Sequence, residues 1–379
     1  MQSCKFQSEA GRQRWPAALL ATLALAATVQ AQSPFATRVI SYTPSPGQFV
    51  SNPQFNDPTR ALGLPIGGGP SAADNTKCVT LGGFGGSIVL GFDHSILNQP
   101  PGNANPHGLD LIVYGNSFYV GASRTRRWAE AGVIEVSRDV NNNGLADDAW
   151  YVIPGSHLPA IPSASLVGGH YQLPAAIFGG PVVTNPLGTG ATDEGIFGYA
   201  DCTPTMVLGD LDGDGVADDL TLTPEMFYTR PDDPFVVGVT PGSGGGDAID
   251  ISWAVEPATG LPANLPSIDF VRITTAVDRV NGIFGEVSVE VCAVAEVRFA
   301  QQPPTALADV ASDSSDTTRT PSGSIGPEDL EAFVNGFIAE NAAIADVASD
   351  SADTTFTPNG SVGPEDLEAF INSYLNGGG

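Results

Sequence analysis

The chain has 379 residues, with 42 acidic side chains against 15 basic ones and a formal net charge of −27. That balance excludes nucleic acid and anionic membrane surfaces as partners, because both select basic patches. Forty-five glycines, 31 prolines and 8% aromatic residues point to many turns between short strands, in a chain long enough for a sizeable core plus a smaller module.

At the start, Lys5, Arg12 and Arg14 precede the apolar run 17–29, and Val29-Gln30-Ala31 fits the small-x-Ala cleavage rule. Residues 1–31 are therefore predicted to be a secretory signal peptide, and the run is too short to span a membrane. No later stretch reaches the length a span requires. Cleavage removes Cys4 and leaves Cys78, Cys202 and Cys292, which in an oxidising compartment suggests one disulfide and one buried thiol. The pairing is open at this level. The four histidines, His94, His107, His157 and His170, have no zinc-ligand spacing.

After a Pro/Asn/Gly-rich entry, Cys78–Leu81 and Ser87–Phe92 flank a glycine-rich turn and read as a hairpin. Asp110–Tyr114 is a further strand. In Ala131–Ser137, alternation places Val133, Glu135 and Ser137 on a wet face and Ile134 and Val136 on a buried one. That strand feeds the loop Asp139–Asp148. Residues 157–205 form a long Pro/Gly/Ala-rich excursion, part of an insertion of about 139–245 over the core. Asp247–Val255, Ile268–Thr274 and Glu286–Val294 alternate again and are expected to close a sandwich. Asp247 and Asp250, beside Trp253, have two readings, as lining of a ligand cleft or, the commoner case, as outward-facing strand acids.

Two loops share one template: acid, x, polar, x, polar, Gly, x, x, Asp, Asp. One carries Asp210, Asp212, Asp214, Asp218 and Asp219, with Gly215 in the sixth place. The other carries Asp139, Asn141, Asn143, Asp147 and Asp148, with Gly144 in that place. Alternate oxygen ligands around a glycine-permitted bend suit a hard cation, so the expected cofactor is calcium. Strand-like residues follow each loop, at 150–153 and 220–222. These read as calcium turns at strand ends, not EF-hands.

The ordered segments Val79–Ser87, Val113–Phe118, Gly132–Val136, Asp250–Val255 and Ile268–Ile273 resemble a group of secreted bacterial cell-surface proteins. The resemblance covers about residues 45–298 and implies a jelly-roll sandwich similar to galactose-binding-like modules. It also implies glycan binding through end loops. Some similar surface proteins accompany corrinoid uptake systems, although no cobalt-ligating histidine motif occurs here.

Beyond the linker at 301–307, the stretch 308–338 recurs as 345–375, with 23 of 31 positions identical. Each copy has an acidic stretch, a Gly/Pro turn and an amphipathic helix. The helical stripes are Leu330, Phe333, Val334, Phe337 and Ile338, and then Leu367, Phe370, Ile371, Tyr374 and Leu375. The module at 308–379 resembles dockerins, duplicated half-EF-hands that attach secreted proteins to cohesin partners. Asn359, Gly360, Val362 and Asp366 match the fifth, sixth, eighth and twelfth loop places, as do Gly323, Ile325 and Asp329 in the first copy; Ser322 holds its fifth place. The first and third places fall on Thr318 and Thr320, and on Thr355 and Thr357. The acids Asp309, Asp313, Asp316, Asp346, Asp350 and Asp353 lie upstream, as though the loop were lengthened.

The expected fold is mainly β: a jelly-roll-like β-sandwich over 32–300 with long calcium-type loops, plus a C-terminal α-helical hairpin of two EF-hand-like repeats. No Gly-x-Ser-x-Gly, His-Glu-x-x-His or phosphate loop occurs. The expected function is non-catalytic: calcium binding, engagement of an extracellular glycan or other surface ligand, and docking to a cohesin-like partner. The alternatives are a polysaccharide hydrolase, using a carboxylate pair such as Glu130 and Glu135, or a surface protein of a corrinoid uptake system.

Overall fold

A computed structural model describes residues 32–102, 105–124, 126–158, 166–178, 183–184, 196–236, 238–282, 285–298, 308, 310–311, 314–319, 327–351 and 358–375. The predicted signal peptide, the 301–307 linker and the tail residues Asp309, Asp313, Thr320, Ser322, Gly323, Ile325, Asp353, Thr355 and Thr357 lie outside them. The described residues are mainly β.

In chain order the strands are β1 (Arg38–Thr43), β2 (Val79–Thr80), β3 (Ser87–Leu97), β4 (Leu111–Tyr114), β5 (Phe118–Tyr119), β6 (Arg126–Trp128) and β7 (Gly132–Ser137). There follow β8 (Trp150–Val152), β9 (Val183–Thr184), β10 (Tyr199–Ala200), β11 (Asp247–Ile249), β12 (Ser267–Thr275), β13 (Glu290–Val291) and β14 (Ala293–Glu296). The largest sheet runs β1-β3-β12-β7, with β10 and β8 both pairing along the outer edge of β7. A second sheet runs β11-β4-β14, while β13-β2 and β5-β6-β9 form two small ones.

Strand alternation explains how these sheets stack. Ile88 and Leu90 of β3, Ile134 and Val136 of β7 and Val271 and Ile273 of β12 share one core with Leu111 and Val113 of β4, Ile249 and Val294. That core fills the space between the two larger sheets. The opposite residues of β4, Ile112 and Tyr114, enter a second core with Met206, Phe227 and Tyr228. Val133 of β7 enters a third with Val152, Phe178 and Tyr199. The long excursion thus covers both outer faces, and β4 and β7 are buried on both sides. Glu135 and Ser137 were expected to be wet; with chain packed over them they are 7% and 0% exposed.

Several expected strands are cut differently. Val79–Thr80 and Ser87–Leu97 do not form a hairpin: β2 pairs β13, while β3 pairs β1 and β12, so the glycine-rich turn carries the chain between sheets. The run at 247–255 stops as a strand at Ile249, because Asp250 caps a 3-10 turn by accepting the Ser252 N–H at 2.6 Å. Asp247 and Asp250 are buried, not outward-facing. No strand follows Asp219; Asp219 instead accepts from the Thr221 N–H and hydroxyl, and Leu220 is exposed.

In the tail, α3 (Pro327–Ile338), α4 (Ala342–Ala345) and α5 (Pro364–Leu375) enclose a separate small core. They follow two four-residue helices of the main body, α1 (Ala175–Phe178) and α2 (Pro224–Phe227). Phe333 and Phe370 stack with ring centroids 3.8 Å apart, so the two copies do meet stripe to stripe. Leu330, Val334, Ile338 and Ile371 stay exposed, because Ala308, Val310, Ile344 and Val347 complete the core.

Cys78 and Cys292 form the disulfide, and Cys202 is a buried thiol outside it. The bond extends the β2–β13 pairing by one step, since Val79 faces Val291. It closes a separation of 214 residues, for which the chain-entropy account gives about 5 kcal/mol. Replacing both cysteines by Ala should lower the melting midpoint by roughly 10 °C in differential scanning calorimetry. An unchanged midpoint would show that this cross-link contributes nothing.

Candidate functional site

The loop Asp139–Asp148 joins β7 to β8, and the loop Asp210–Asp219 lies against the second core through Leu208 and Leu211. Both have the same internal bonding. The first-place acid accepts the N–H of the sixth-place glycine: Asp139 from Gly144 at 2.6 Å, Asp210 from Gly215 at 2.9 Å. The third-place side chain accepts from the fifth-place N–H, Asn141 from Asn143 and Asp212 from Asp214. The fifth-place side chain accepts from the seventh, Asn143 from Leu145 and Asp214 from Val216. Gly144 and Gly215 take φ of 74° and 92°, the left-handed backbone a side chain disfavours.

Backbone donors thus gather the side-chain oxygens before any ion enters. Asp210, Asp212 and Asp218 bring one oxygen each within 4.8 Å of the others, and among the described residues they form the only such group of acids, histidines or cysteines. Asp210 is 1% exposed. Asp214 and Asp219 are outside this group. In the other loop Asp148 accepts from the Val140 N–H, and Asn143 reaches Asp147 at 3.3 Å.

The tail repeats the pattern with a residue the spacing did not single out as first in the loop. Asp346 accepts the N–H groups of Asn359 and Gly360 at 2.9 and 2.6 Å, and Ser361 donates to Asn359. Gly360 has φ 93°. Asp346, an acid thirteen residues before Asn359, thus takes the hydrogen-bonding role that the first-place acid has in the other two loops. Asp329 and Asp366 are fully buried. Each accepts two upstream N–H groups, from Val310 and Ala311 and from Val347 and Ala348.

On the outer face of the large sheet a cavity of about 360 Å³ is lined by Glu135, Trp150, His170, Tyr171 and Arg272. Arg272 faces Glu135 across β12 and β7 and holds it with two bonds, of 2.5 and 2.7 Å. The guanidinium also lies 4.3 Å from the Trp150 ring centre. Trp150 stands two residues beyond Asp148, so the template loop sets its place. Glu130 lines a different cavity, so Glu130 and Glu135 do not share a site.

Sequence reading missed a set of buried carboxylates. Asp110 accepts from Gln99 and Ile251, Asp201 from Asn116 and Ser117, Asp232 from Thr240, and Asp247 from Cys202. Burial raises Asp110, Glu130 and Asp232 to about 7 and Asp201 and Asp247 to about 8. Buried Arg127 opposes the rise at Asp232 and Asp247. Nothing in one-dimensional spacing distinguishes these acids from solvated ones.

No protein-family model matches the chain, and no curated protein matches it either. The residues therefore carry the functional argument.

Raised carboxyl pKa values carry a signed consequence. These groups keep protons in the folded state where the unfolded chain has lost them. Their stabilisation is complete below about pH 4 and is lost as pH rises through 7 to 8. Asp57 and Asp219, lowered chiefly by the Thr59 and Thr221 hydroxyls, contribute fully above about pH 4 and lose that contribution only as pH falls below it, so they do not alter the trend from pH 5 to 8. In chelator the melting midpoint should fall from pH 5 to pH 8, and a rising midpoint would contradict the assignment.

Proposed function

We propose that this chain is a secreted, non-catalytic, calcium-stabilised binding protein whose jelly-roll-like sandwich engages an extracellular glycan and whose dockerin-like tail docks to a protein partner. The observation that carries the reading is the convergence of Asp210, Asp212 and Asp218 in a loop whose bonding is repeated at Asp139–Asp148. Like charges held this close repel one another and are stabilised by a divalent ion, which takes oxygen ligands at short range. Calcium would join loops to core without a dedicated helix pair.

The sheet-face cavity is the glycan site in this reading. Trp150 and Tyr171 offer apolar ring surface to sugar C–H groups, while the fixed Arg272–Glu135 pair offers both donors and acceptors to hydroxyls. A cation at Asp139–Asp148 would order the turn that presents Trp150. In the tail, Leu330, Val334 and Ile338 lie at four-residue intervals on one exposed face of α3, which suits a protein partner. A calcium-rich medium outside the cell also suits a chain of net charge −27.

Saturating calcium should raise the melting midpoint of the metal-stripped chain by roughly 5 °C. Asp212→Ala with Asp214→Ala should remove most of that shift in the same calorimetric scan. An unchanged wild-type melt contradicts the calcium reading. For the glycan reading, Trp150→Ala should abolish retention on whichever member of a polysaccharide panel holds the parent chain, with the calcium shift intact. Turnover of any panel member would instead favour the hydrolase.

A further inference from the structure

A second cavity, of about 350 Å³, lies apart from the sheet-face site, between the small sheets that hold β5, β6 and β13. Its walls are aromatic. Phe118 and Trp128 face one another across the β5–β6 pair with rings 6.0 Å apart and nearly parallel. Phe49 and Phe55 meet at 5.0 Å. Phe49 is half exposed and adopts φ 61°, a strained backbone for a bulky residue, which holds its ring beside Phe55.

Among the described residues the polar groups in this cavity are acids and amides, and no Lys, Arg or His lines it. Glu130 and Glu290 are 4% and 2% exposed. Both carboxylate oxygens of Glu290 lack a well-formed hydrogen bond among the described residues. The Thr80 and Ser288 hydroxyls, which bond each other at 2.5 Å, lie beside it and only partly oppose the rise that burial and the neighbouring acids impose on its carboxyl. Glu130 has long bonds, 3.4 Å each, from the Gln48 amide and the Ser288 N–H, and also meets the Trp128 and Glu290 side chains. The charges acting on Glu290 are those of Glu130 and Asp201, both of its own sign. Arg127, the buried guanidinium of β6, serves Cys202, Asp232 and Asp247 instead.

An unpartnered buried carboxylate is costly unless something supplies donors or positive charge. An ammonium ion that displaces the protons these buried acids hold suits the cavity, because ring faces and ionised carboxylates alike present negative potential. A bare metal ion fits poorly. Glu130, Asp201 and Glu290 do not bring one oxygen each within 4.8 Å of both others, and four rings are not metal ligands. A neutral sugar would use the rings but leave the negative potential uncompensated.

We propose that the cavity walled by Phe49, Phe55, Phe118 and Trp128 binds a small primary alkylammonium ion, with its N–H groups on Glu290 and Glu130 and its alkyl part against the rings. The site is independent of the calcium loops and of the sheet-face cavity.

The test is calorimetric titration of the full chain with butylammonium chloride, with 1-butanol as the neutral isostere, in saturating calcium and again in chelator. Saturable butylammonium binding tighter than millimolar in both buffers, at least tenfold tighter than 1-butanol, is expected. Glu290→Gln, which keeps shape and removes charge, should weaken it at least tenfold. Phe49→Ala at the exposed mouth should weaken it severalfold without disturbing the fold, as read by an unchanged melt. No saturable binding, equal binding of 1-butanol, or full affinity in both variants would overturn the proposal.

Discussion

The interaction on which the structure most depends is the hydrogen bond from backbone N–H to carboxylate. With 42 acids and 15 lysines and arginines, most acids have no ionic partner, and the peptide chain takes that role. Asp139, Asp210 and Asp346 each accept a glycine N–H that closes a loop. Asp110 joins the 99 and 251 segments, and Asp201 holds the turn after β4. Asp329 and Asp366 tie each tail helix to the start of its own repeat. Charged acceptors make stronger bonds than neutral ones, so these acids serve as joints in a chain rich in loops.

Those joints act on a frame set by strand alternation. β4 and β7 serve two cores each, so the excursion between β7 and β11 is fastened to both outer faces. The cavities arise where this fastening is incomplete. One opens where Trp150 and Tyr171 line the large sheet, the other between the β5–β6 pair and β13. The disulfide adjoins β13 and locks that strand to β2. Glu290, on the same strand, is thereby held in place although its carboxylate gains no well-formed bond.

Much of this was legible in the sequence where local pattern decides the outcome. β4, β7 and β12 form where their apolar runs place them, and the repeated Asp/Asn/Gly template folds into the same bonded loop twice. What failed to show were features decided by distant chain. Val79–Thr80 and β3 look like a hairpin, yet their partners lie some two hundred residues away at β13 and β12. Glu135 alternates like a surface residue but is covered by the excursion. Asp346 does not occupy the loop place that spacing assigns, since the N–H groups it accepts lie thirteen and fourteen residues further on. Buried acids such as Asp201 and Glu290 have no periodic signature at all.

The account's central claim is that the template loops are cation sites and not merely acid-closed turns. Diffraction from calcium-soaked crystals of the full chain, recorded at a wavelength where calcium scatters anomalously, tests it most directly. The account predicts an anomalous peak among the carboxylates of Asp210, Asp212 and Asp218, at about 2.3–2.6 Å from each ligating oxygen. Well-ordered loops with no peak there would contradict it, and would leave backbone N–H groups as the sole partners of these acids.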